Sequence, residues 1–481
     1  MLVQLPFVAV VVTLVSFLSA TEAVDVVHYP PQSTNINNLT FVLNGSGAPG
    51  IFNSSTTPDK VYGEYNWCNM PHVRTREYKT PSQDFTLEYV EVIQRHHKRT
   101  PYSTNTFFRE DISWSCVGQG PLNGLKAASG PGADAAEIQW QAFTNADNPF
   151  TATVGPGFVG STCQFPQITE EGLEDSITHG IDLRAVYASR LGLNESLDTS
   201  TSRIRVTNNQ ITSQVASGLI KGLFPASSDI EVLVQSTSFD SLEPTISCPD
   251  ANQLQTAITT GSQTWNGHLT AAAGLYAELD AVSGIATHDT GGWHVSFDHY
   301  YDNMSAKQCH GKTLPCDVNS TSTCVTQDMA DTVYRLGNWE YSWQYRDAPQ
   351  SAQFSALKYG AFVLELQGHL QDKISGQSQI KYFHNIAHDG SLAPLLGFLQ
   401  ISQMVWPGMG AEVVFELYSK SSSQDRHASS QSYFIRVLWG GQPMETSTPL
   451  GLLDLVPVDD FFSYVESMTG SGNDLLAACN S

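Results

Sequence analysis

The chain has 481 residues, and its 47 aspartates and glutamates outnumber its 24 lysines and arginines, which gives a formal net charge of −23. Such an acidic surface repels the phosphates of nucleic acid, so a nucleic-acid partner is not expected. The length exceeds what one compact core normally covers and predicts either one large domain with an insertion or two domains.

The first 23 residues have the pattern of a secretory signal peptide. An apolar stretch over residues 8–18 is followed by Thr21-Glu22-Ala23, which ends in a small residue suited to cleavage. No basic residue precedes the apolar stretch, so a membrane anchor stays open, although a spanning helix needs about 18 to 20 apolar residues. Residues 475–481 form no hydrophobic tail for a lipid anchor. We therefore expect a secreted, extracellular protein without a membrane anchor.

Sequons and cysteines agree with secretion. Six Asn-x-Ser/Thr sequons, each of which needs a surface position to be modified, occur at Asn38, Asn44, Asn53, Asn194, Asn303 and Asn319. The even set of eight cysteines lacks the CxxC spacing of a zinc site and predicts disulfides among Cys68, Cys116, Cys163, Cys248, Cys309, Cys316, Cys324 and Cys479. Their pairing stays open, although Cys309, Cys316 and Cys324 are close in the chain and could staple one loop region.

The first half of the chain alternates irregular and regular segments. Residues 24–84 are rich in Asn, Ser, Thr, Pro and Gly and predict an irregular, glycosylated N-terminal arm. Residues 87–94 are β-branched and aromatic, which predicts a strand. Residues 117–160 have little apolar periodicity and predict a long excursion. A helix is expected over 170–193, with Thr169 placed to cap it.

The second half contains further helices and one more strand. A helix is predicted from about 210 to 222. Residues 245–345 are rich in aromatic residues and cysteines and predict an inserted, mostly helical cap whose aromatic side chains serve mainly for packing. Apolar residues at helical spacing predict a helix over 351–370, and residues 380–387 predict a strand.

A basic cluster follows the first predicted strand. Residues 95–101 read RHHKRTP and place three fixed cations and two histidines in seven residues of an acidic protein. Arg95 and Arg99 can hold the non-bridging oxygens of a phosphate while His96, between them, faces phosphorus as a nucleophile. The competing interpretation is a solvated basic loop, since charge runs usually face water. The position after a strand favours the anion site, because ligands of open α/β sheets bind there.

The dipeptide His388-Asp389 follows the second predicted strand and opens a helix, where backbone N–H groups favour an anion. The histidine can donate a hydrogen bond to phosphate, and the aspartic acid can protonate a leaving oxygen. The same dipeptide occurs at His288-Asp289, but no apolar strand precedes it, and we interpret that copy as a loop coincidence.

In this order the two motifs resemble the histidine acid phosphatase family, a branch of the phosphoglycerate-mutase-like superfamily whose signature is RHGxRxP followed late in the chain by HD. Residues 166–172 (PQITEEG) and the pattern at 180–187 resemble the family's GQLTxxG…G..LR..Y segment. Residues 433–438 (YFIRVL) resemble its late strand. The resemblance spans about residues 87–440.

The resemblance implies a role for each motif residue. His96 would be the nucleophile that forms a phosphohistidine, and Asp389 the proton donor. Arg95, Arg99 and His388 would bind the phosphate. No metal and no cofactor are implied, because the guanidiniums supply the positive charge. An acidic pH optimum follows if Asp389 must be protonated, since an ordinary aspartate titrates near ~3.9.

The fold implied is α/β, with a mixed, mainly parallel sheet flanked by helices and an inserted, mostly helical cap. After the signal peptide (1–23) and the arm (24–84), we expect the catalytic domain to comprise residues 85–244 and 346–481. Residues 245–345 would form the cap between these two parts.

Two positions depart from the family pattern. His97 stands where the family has a glycine, which places a ring next to the nucleophile. Ile211 stands where the family has a third phosphate-binding arginine. Lys98, Arg203, Arg205 or His97 could replace that arginine, although Arg203 and Arg205 are expected as exposed residues on a strand.

Two functions therefore compete. The first is a secreted acid phosphatase that hydrolyses phosphomonoesters through phosphohistidine; the second is a catalytically weak or inactive pseudophosphatase that binds a phosphorylated ligand. A mutase is disfavoured by secretion, and the chain has no GxSxG elbow and no HExxH helix. The small-molecule phosphomonoester stays open among phytate, sugar phosphates, phospholipid-derived phosphates and nucleoside monophosphates. The oligomeric state is also open.

Overall fold

The computed structural model describes residues 26–480 except 108–111, 117–141, 146, 154, 229, 290, 318 and 422–430. The predicted signal peptide lies outside the described residues, as does most of the predicted excursion over 117–160.

The strands are β1 (Phe85–Arg95), β2 (Ser202–Val206), β3 (Cys316–Asp317), β4 (Ser320–Cys324), β5 (Tyr382–Ala387), β6 (Glu412–Ser421), β7 (Gln431–Trp439), β8 (Gln442–Pro443) and β9 (Val456–Pro457). The helices are α1 (Leu39–Asn44), α2 (Pro156–Val159), α3 (Glu170–Leu191), α4 (Gln210–Leu223), α5 (Pro249–Ile258), α6 (Gln263–Ala271), α7 (Ala273–Ser283), α8 (Asp298–Cys309), α9 (Gln327–Ser342), α10 (Ser351–Ile374), α11 (Asp389–Phe398), α12 (Val458–Thr469) and α13 (Gly472–Ala478).

One mixed sheet organises the fold. Its strand order is β2-β5-β1-β6-β7-β8, with β9 paired to β7. β2, β5 and β1 run parallel, and the pairings from β1 through β6 and β7 to β8 and β9 are antiparallel. The prediction of an α/β fold with a mixed sheet flanked by helices is confirmed, and its parallel strands lie side by side at one end of the sheet.

Helices cover both faces of this sheet. Along β1, Val90 and Val92 point into the apolar cluster shared with α3 and α4. Tyr89 and Ile93 alternate with them and join the cluster of α10, α11 and α12. Because side chains of a strand alternate between the two faces, helices on both sides explain why residues 89–95 of β1 are all buried.

The predicted elements of the catalytic domain are present with shifted ends. The strand predicted at 87–94 is β1, and the strand predicted at 380–387 is β5. The helices predicted at 170–193, 210–222 and 351–370 are α3, α4 and α10. Only the ends differ, because capping and packing set them more than the apolar pattern does.

The start of α3 shows such a cap. The Thr169 hydroxyl accepts a hydrogen bond from the Gly172 backbone N–H at 3.2 Å, as predicted. Gly192 ends the helix in the left-handed conformation with φ 65°, where a residue without Cβ is favoured.

The segment 245–345 is predominantly helical and contains α5 to α9. Its aromatic side chains, including Tyr300, Tyr301 and Trp339, are buried in one cluster, which Phe52 and Trp67 of the N-terminal arm join. The aromatic residues therefore serve mainly for packing, as expected. The boundaries drawn for this cap stay a prediction.

Four disulfides pair the eight cysteines: Cys68–Cys309, Cys116–Cys163, Cys248–Cys479 and Cys316–Cys324. The idea that Cys309, Cys316 and Cys324 staple one region is only half right. Cys316 and Cys324 close the β3–β4 hairpin, whereas Cys309 at the end of α8 is bonded to Cys68 in the arm.

We expect the Cys68–Cys309 disulfide to stabilise the fold more than the hairpin disulfide. It closes 241 residues, and Cys316–Cys324 closes 8. Loop-closure entropy grows with the logarithm of this length, so replacing Cys68 and Cys309 by serine should lower the free energy of unfolding by about 4–5 kcal/mol. The matched Cys316→Ser/Cys324→Ser variant should lose about 2–3 kcal/mol. Chemical denaturation measures both values, and equal losses would contradict the expectation.

The sequons differ in exposure. Five of the six asparagines are exposed, and Asn303 is fully buried on α8. Its side-chain amide donates to the Asn105 carbonyl at 2.7 Å and its oxygen accepts from Lys307. Asn303 therefore cannot carry a glycan in the folded protein, contrary to a reading of all six sequons as surface sites.

Among the described helices, none has the length and hydropathy that crossing a membrane requires.

Candidate active site

The parallel pairing of β1 with β5 brings the two sequence motifs together. Arg95, the last residue of β1, is in register with Ala387, the last residue of β5. The His96 backbone N–H donates to the Ala387 carbonyl at 3.0 Å. The rings of His96 and His388 then lie edge to face with centroids 5.5 Å apart. Two motifs almost 300 residues apart in sequence therefore share one sheet edge.

The third parallel strand contributes to the same edge. Thr207 directly follows β2, and its hydroxyl lies 2.9 Å from His388 Nε2. His388 itself is the N-cap residue of α11, and Asp389 is the first residue of that helix. The positive end of the helix dipole at this helix start favours an anion.

Arg95 is held from three sides. Its guanidinium donates to the Pro407 carbonyl, lies over the Trp67 ring and forms an ion pair with Asp389 at 3.3 Å. Only 1% of the residue is exposed. Packing of this kind fixes the planar donor group before a ligand arrives.

Arg99 is oriented by the segment 245–345. Its Nη1 donates to Asp302 Oδ1 of α8 at 3.0 Å and to the Thr100 carbonyl at 2.9 Å. The guanidinium carbon also lies 4.4 Å from the centre of the Tyr102 ring. Asp302 accepts from Asn105 as well, so the carboxylate is fixed before it binds Arg99.

His96 has a defined tautomer. Its Nδ1 lies 2.9 Å from the His97 carbonyl oxygen, which can only accept, so Nδ1 carries the proton. Nε2 therefore keeps its lone pair. Burial, followed by the charges of Arg95 and Arg99, lowers the pKa of His96 well below its usual 6.5. The imidazole stays neutral at mildly acidic pH, as a nucleophile requires.

His388 and Asp389 have different proton affinities. Burial lowers the pKa of His388 to about 4. Burial raises the pKa of Asp389, but the charge of Arg95 and a hydrogen bond from Trp406 outweigh it, so the net pKa is lowered. Asp389 Oδ2 accepts from Trp406 Nε1 at 2.6 Å and from the Tyr341 hydroxyl at 3.1 Å. In the ligand-free site Asp389 is therefore a carboxylate.

A cavity of about 450 Å³ opens at this edge, and Arg95, Arg99 and Asp389 line it. His96 and His388 are buried next to these residues. Six aromatic residues also line the cavity: Trp67, Tyr102, Trp265, Tyr341, Tyr345 and Trp406. The site is thus a partly enclosed anion pocket with aromatic walls.

Residues 86–439 match the sequence model of the histidine phosphatase superfamily, branch 2. The chain belongs to this family. Counting factor 60 of Dictyostelium discoideum is 27% identical over 415 residues, which cover 81% of this chain and 88% of that protein. 2-Phosphoxylose phosphatase 1 of Danio rerio is 23% identical, over 87% of this chain and 86% of its own. The apo phytase of Hafnia alvei superimposes with a TM-score of 0.49 at 15% identity, covering 83% of this chain and 99% of its own.

The family's third arginine has no counterpart at position 211. Ile211, in the first turn of α4, is fully buried in the apolar cluster that contains Leu183, Val215 and Leu219. A charged side chain in that cluster would lose its hydration without gaining a partner there. Position 211 has therefore become part of the core between α3 and α4.

None of the four residues considered as replacements takes over that role. Lys98 is paired with two acidic side chains of α3. Arg205 is buried in ion pairs with residues 240 and 365, so the expectation that it is exposed was wrong. Arg203 is exposed, as expected, and lines a different pocket. Among the described residues, the cavity holds two guanidiniums and no other cationic side chain.

His97, the remaining residue of the four, packs beneath the site instead of into it. Its Nε2 lies 3.2 Å from His179 Nδ1, and His179 Nε2 lies 2.9 Å from Glu412 Oε2. Gly410, with φ 69°, makes room for the ring, because a Cβ there would overlap it. The His97 ring is therefore engaged with His179, while the His97 carbonyl fixes the His96 tautomer.

Sequence reasoning missed the residues that position the motif side chains. Asp302, Tyr341 and Trp406 contact Arg99 or Asp389 from segments far from either motif. Thr207 directly follows the strand that carries Arg203 and Arg205. Its position offered a signal, because ligands bind where parallel strands end. The other three are aromatic or acidic residues of helical or irregular segments, whose sequence carries no such signal.

Buried histidines should make the protein less stable in acid. Burial is the largest cause that lowers the pKa of His96, His97 and His179 well below 6.5, of His388 to about 4 and of His384 to about 3. In the unfolded chain these groups bind protons below about pH 6.5. Stability from the neutral imidazoles is therefore present above pH 6.5 and is lost as the pH falls, by up to about 1.4 kcal/mol per pH unit for each residue.

Urea denaturation between pH 7.5 and 5 measures this slope. As the pH is lowered, the free energy of unfolding should fall less steeply in a His384→Gln variant than in the parent protein. The two slopes should differ by about 1 kcal/mol per pH unit. The exposed His288 provides the control, because His288→Gln should leave the slope unchanged. An identical slope in the parent protein and His384→Gln would refute the assignment.

Proposed function

We propose that the protein is a secreted acid phosphatase that hydrolyses phosphomonoesters through a phosphohistidine on His96, with Asp389 as proton donor. The observation that carries the proposal is the meeting of the β1 and β5 ends, where a neutral His96 is close enough to Arg95 and Arg99 for their charges to lower its pKa, and both arginines line the cavity. The family membership supports it, and two relatives whose names state phosphatase activity, 2-phosphoxylose phosphatase 1 and lysophosphatidic acid phosphatase type 6, match most of this chain.

In the first step, His96 Nε2 attacks phosphorus and the bond from phosphorus to the ester oxygen breaks. Arg95 and Arg99 neutralise the charge on the non-bridging oxygens, and His388 donates a hydrogen bond to one of them. Asp389 gives its proton to the ester oxygen, which leaves as an alcohol. A phosphohistidine and an Asp389 carboxylate remain.

In the second step, water attacks the phosphohistidine, and Asp389 takes the proton that water loses. Inorganic phosphate leaves, and His96 is free again. Each atom and proton is accounted for, because Asp389 gives one proton in the first step and recovers one in the second.

The substrate itself helps to protonate Asp389. In the ligand-free site Arg95 pairs with Asp389 at 3.3 Å and favours the carboxylate. A bound phosphate pairs with Arg95 in place of Asp389 and adds negative charge beside Asp389. Both effects raise the pKa of the Asp389 carboxyl. The rate should then fall as the pH rises through the pKa of Asp389 in the complex, which gives an acidic optimum.

A weak or inactive pseudophosphatase is the second candidate. The burial of Ile211 favours it, since one charge-assisted donor can contribute roughly 10² to 10³ in rate. Such a protein would bind phosphate at Arg95 and Arg99 without turnover.

Hydrolysis of p-nitrophenyl phosphate between pH 4 and 6, together with calorimetric titration of inorganic phosphate, separates the two. Turnover of p-nitrophenyl phosphate would support the acid phosphatase. Phosphate binding without turnover supports the pseudophosphatase, and loss of that binding in Arg95→Ala would place the ligand in this site. Absence of both turnover and binding would contradict both functions.

Secretion is supported by four disulfides, which form and persist in oxidising compartments, and by five exposed sequons. Expression of the full chain in a eukaryotic cell tests it. The expected product is found in the medium, begins near residue 24 and shrinks on endoglycosidase treatment. Retention inside the cell at full length would contradict secretion.

A further inference from the structure

Among the described residues that line the cavity, the positively charged side chains lie only at the end of β1 and just after it. Arg95 and Arg99 both project from the segment that ends β1, and among the described residues no lysine and no other arginine lines the cavity. These two guanidiniums match a single phosphate group. A second phosphate on the same molecule would have no cationic partner there.

The lining residues that come from the segment 245–345 combine acidic, amide and aromatic groups. Asp298 and Glu340 are acidic side chains among them, Gln255 and Gln344 carry amides, and Trp265 contributes an aromatic surface. Amides donate and accept hydrogen bonds, so they match hydroxyl groups well. Carboxylates accept hydrogen bonds from hydroxyls but repel anions.

The two acids differ in availability. Both oxygens of Glu340 accept from the Phe297 backbone N–H, and His268 donates to it as well at 2.8 Å. The side chain of Asp298 is 48% exposed, and its hydrogen bonds with Ser296 and His299 use Oδ1. Burial raises the pKa of Asp298, but the hydrogen bond with His299 outweighs it and lowers the net pKa. Asp298 is thus a carboxylate in the cavity lining, and its Oδ1 is paired with His299. Burial lowers the pKa of His299, but this contact outweighs it and raises the net pKa.

We propose that the cavity selects esters with a single phosphate on an uncharged, hydroxyl-bearing ring, and that Asp298 is a specificity-determining residue that repels additional phosphates. The proposal rests on the proposed function and narrows its substrate class. Polyphosphorylated rings would place several negative charges beside Asp298, with no arginine or lysine other than Arg95 and Arg99 among the described residues that line the cavity. A ring with free hydroxyls would meet the amides of Gln255 and Gln344 and the face of Trp265 instead.

Two probes with the same ring test the proposal. The parent protein is assayed with myo-inositol monophosphate and with myo-inositol hexakisphosphate, and kcat/KM is compared at one pH and ionic strength. We expect the monophosphate to be preferred. A Kd for each probe, measured by calorimetry, gives the same comparison without turnover.

Asp298→Asn should shift the ratio of the two kcat/KM values, or of the two Kd values, toward the hexakisphosphate by roughly 3- to 10-fold, because one repulsive charge is removed. Asp328→Asn is the matched control, since Asp328 is also an acid in the first turn of a cap helix but is exposed and does not line the cavity. A merely structural role of Asp298 at the start of α8 would change both probes equally and leave the ratio unmoved.

The outcomes separate the proposal from the proposed function. Turnover of both probes with preference for the hexakisphosphate, or an equal ratio in Asp298→Asn and the parent, would overturn the selectivity and leave the phosphatase standing. Tighter binding of the monophosphate without turnover, reduced in Asp298→Asn, would support the selectivity while the phosphatase fails.

Discussion

Replacing His96 with alanine should reduce turnover of p-nitrophenyl phosphate on the order of 10⁴-fold or more, because no other group can take over as nucleophile. Arg95 and Arg99 remain in place, so inorganic phosphate should still bind. The measurement is kcat/KM together with trapping of the phosphoenzyme: the parent protein should retain labelled phosphate through a bond stable in alkali and labile in acid, and the variant should retain none.

The exposed His288 is the control for this experiment, since His288→Ala removes a histidine outside the cavity and should leave kcat/KM within experimental error. An unfolding curve of His96→Ala like that of the parent would show that the fold is kept. If His96→Ala retained the parent's turnover, the phosphohistidine mechanism would be wrong, even though the family assignment would stand.

Replacing Asp389 with asparagine should slow hydrolysis in proportion to how much the leaving group needs a proton. For an alkyl phosphate such as glycerol 2-phosphate we expect a loss of roughly 10² to 10⁴ in kcat. For p-nitrophenyl phosphate, whose leaving group is stable as an anion, the loss should be at least tenfold smaller. The fall in rate with rising pH that is attributed to this carboxyl should disappear as well.

The chain provides a matched control at its other His-Asp dipeptide. Asp289 accepts backbone hydrogen bonds from Gly291 and Trp293 in a loop and does not line the cavity. Asp289→Asn keeps an acceptor oxygen there and should leave both substrates unaffected. Equal losses for the two substrates in Asp389→Asn would indicate that Asp389 positions Arg95 and does not donate a proton.

The fold was largely predictable because most of its longer helices and strands follow from local sequence patterns. β1 and β5 are rich in β-branched and aromatic residues, and α3, α4 and α10 have local helix signals, so all five elements could be predicted from the sequence. Strand order and disulfide pairing were not predictable, because they depend on which distant segments meet. The Cys68–Cys309 bond joins residues 241 positions apart, and nothing near either cysteine in the sequence indicates the other.

The candidate site was predictable only in its motif residues. Arg95, His96 and Asp389 follow strands and have side chains that point to phosphate chemistry by type and spacing. Trp406 and Asp302, which hold Asp389 and Arg99, have no such pattern around them. A positioning residue acts through its three-dimensional contacts, and a short stretch of sequence does not show which distant residues it contacts.

The sequence by itself determined the basic cluster, its late His-Asp partner and the presence of an isoleucine at position 211. Only the tertiary structure decided that the cluster faces a cavity with two guanidiniums, that Ile211 is part of the core, and that Lys98 and Arg205 are engaged elsewhere. The reason is physical: residue type fixes what a side chain can bind, whereas packing of distant segments fixes which partner it meets and how much water remains.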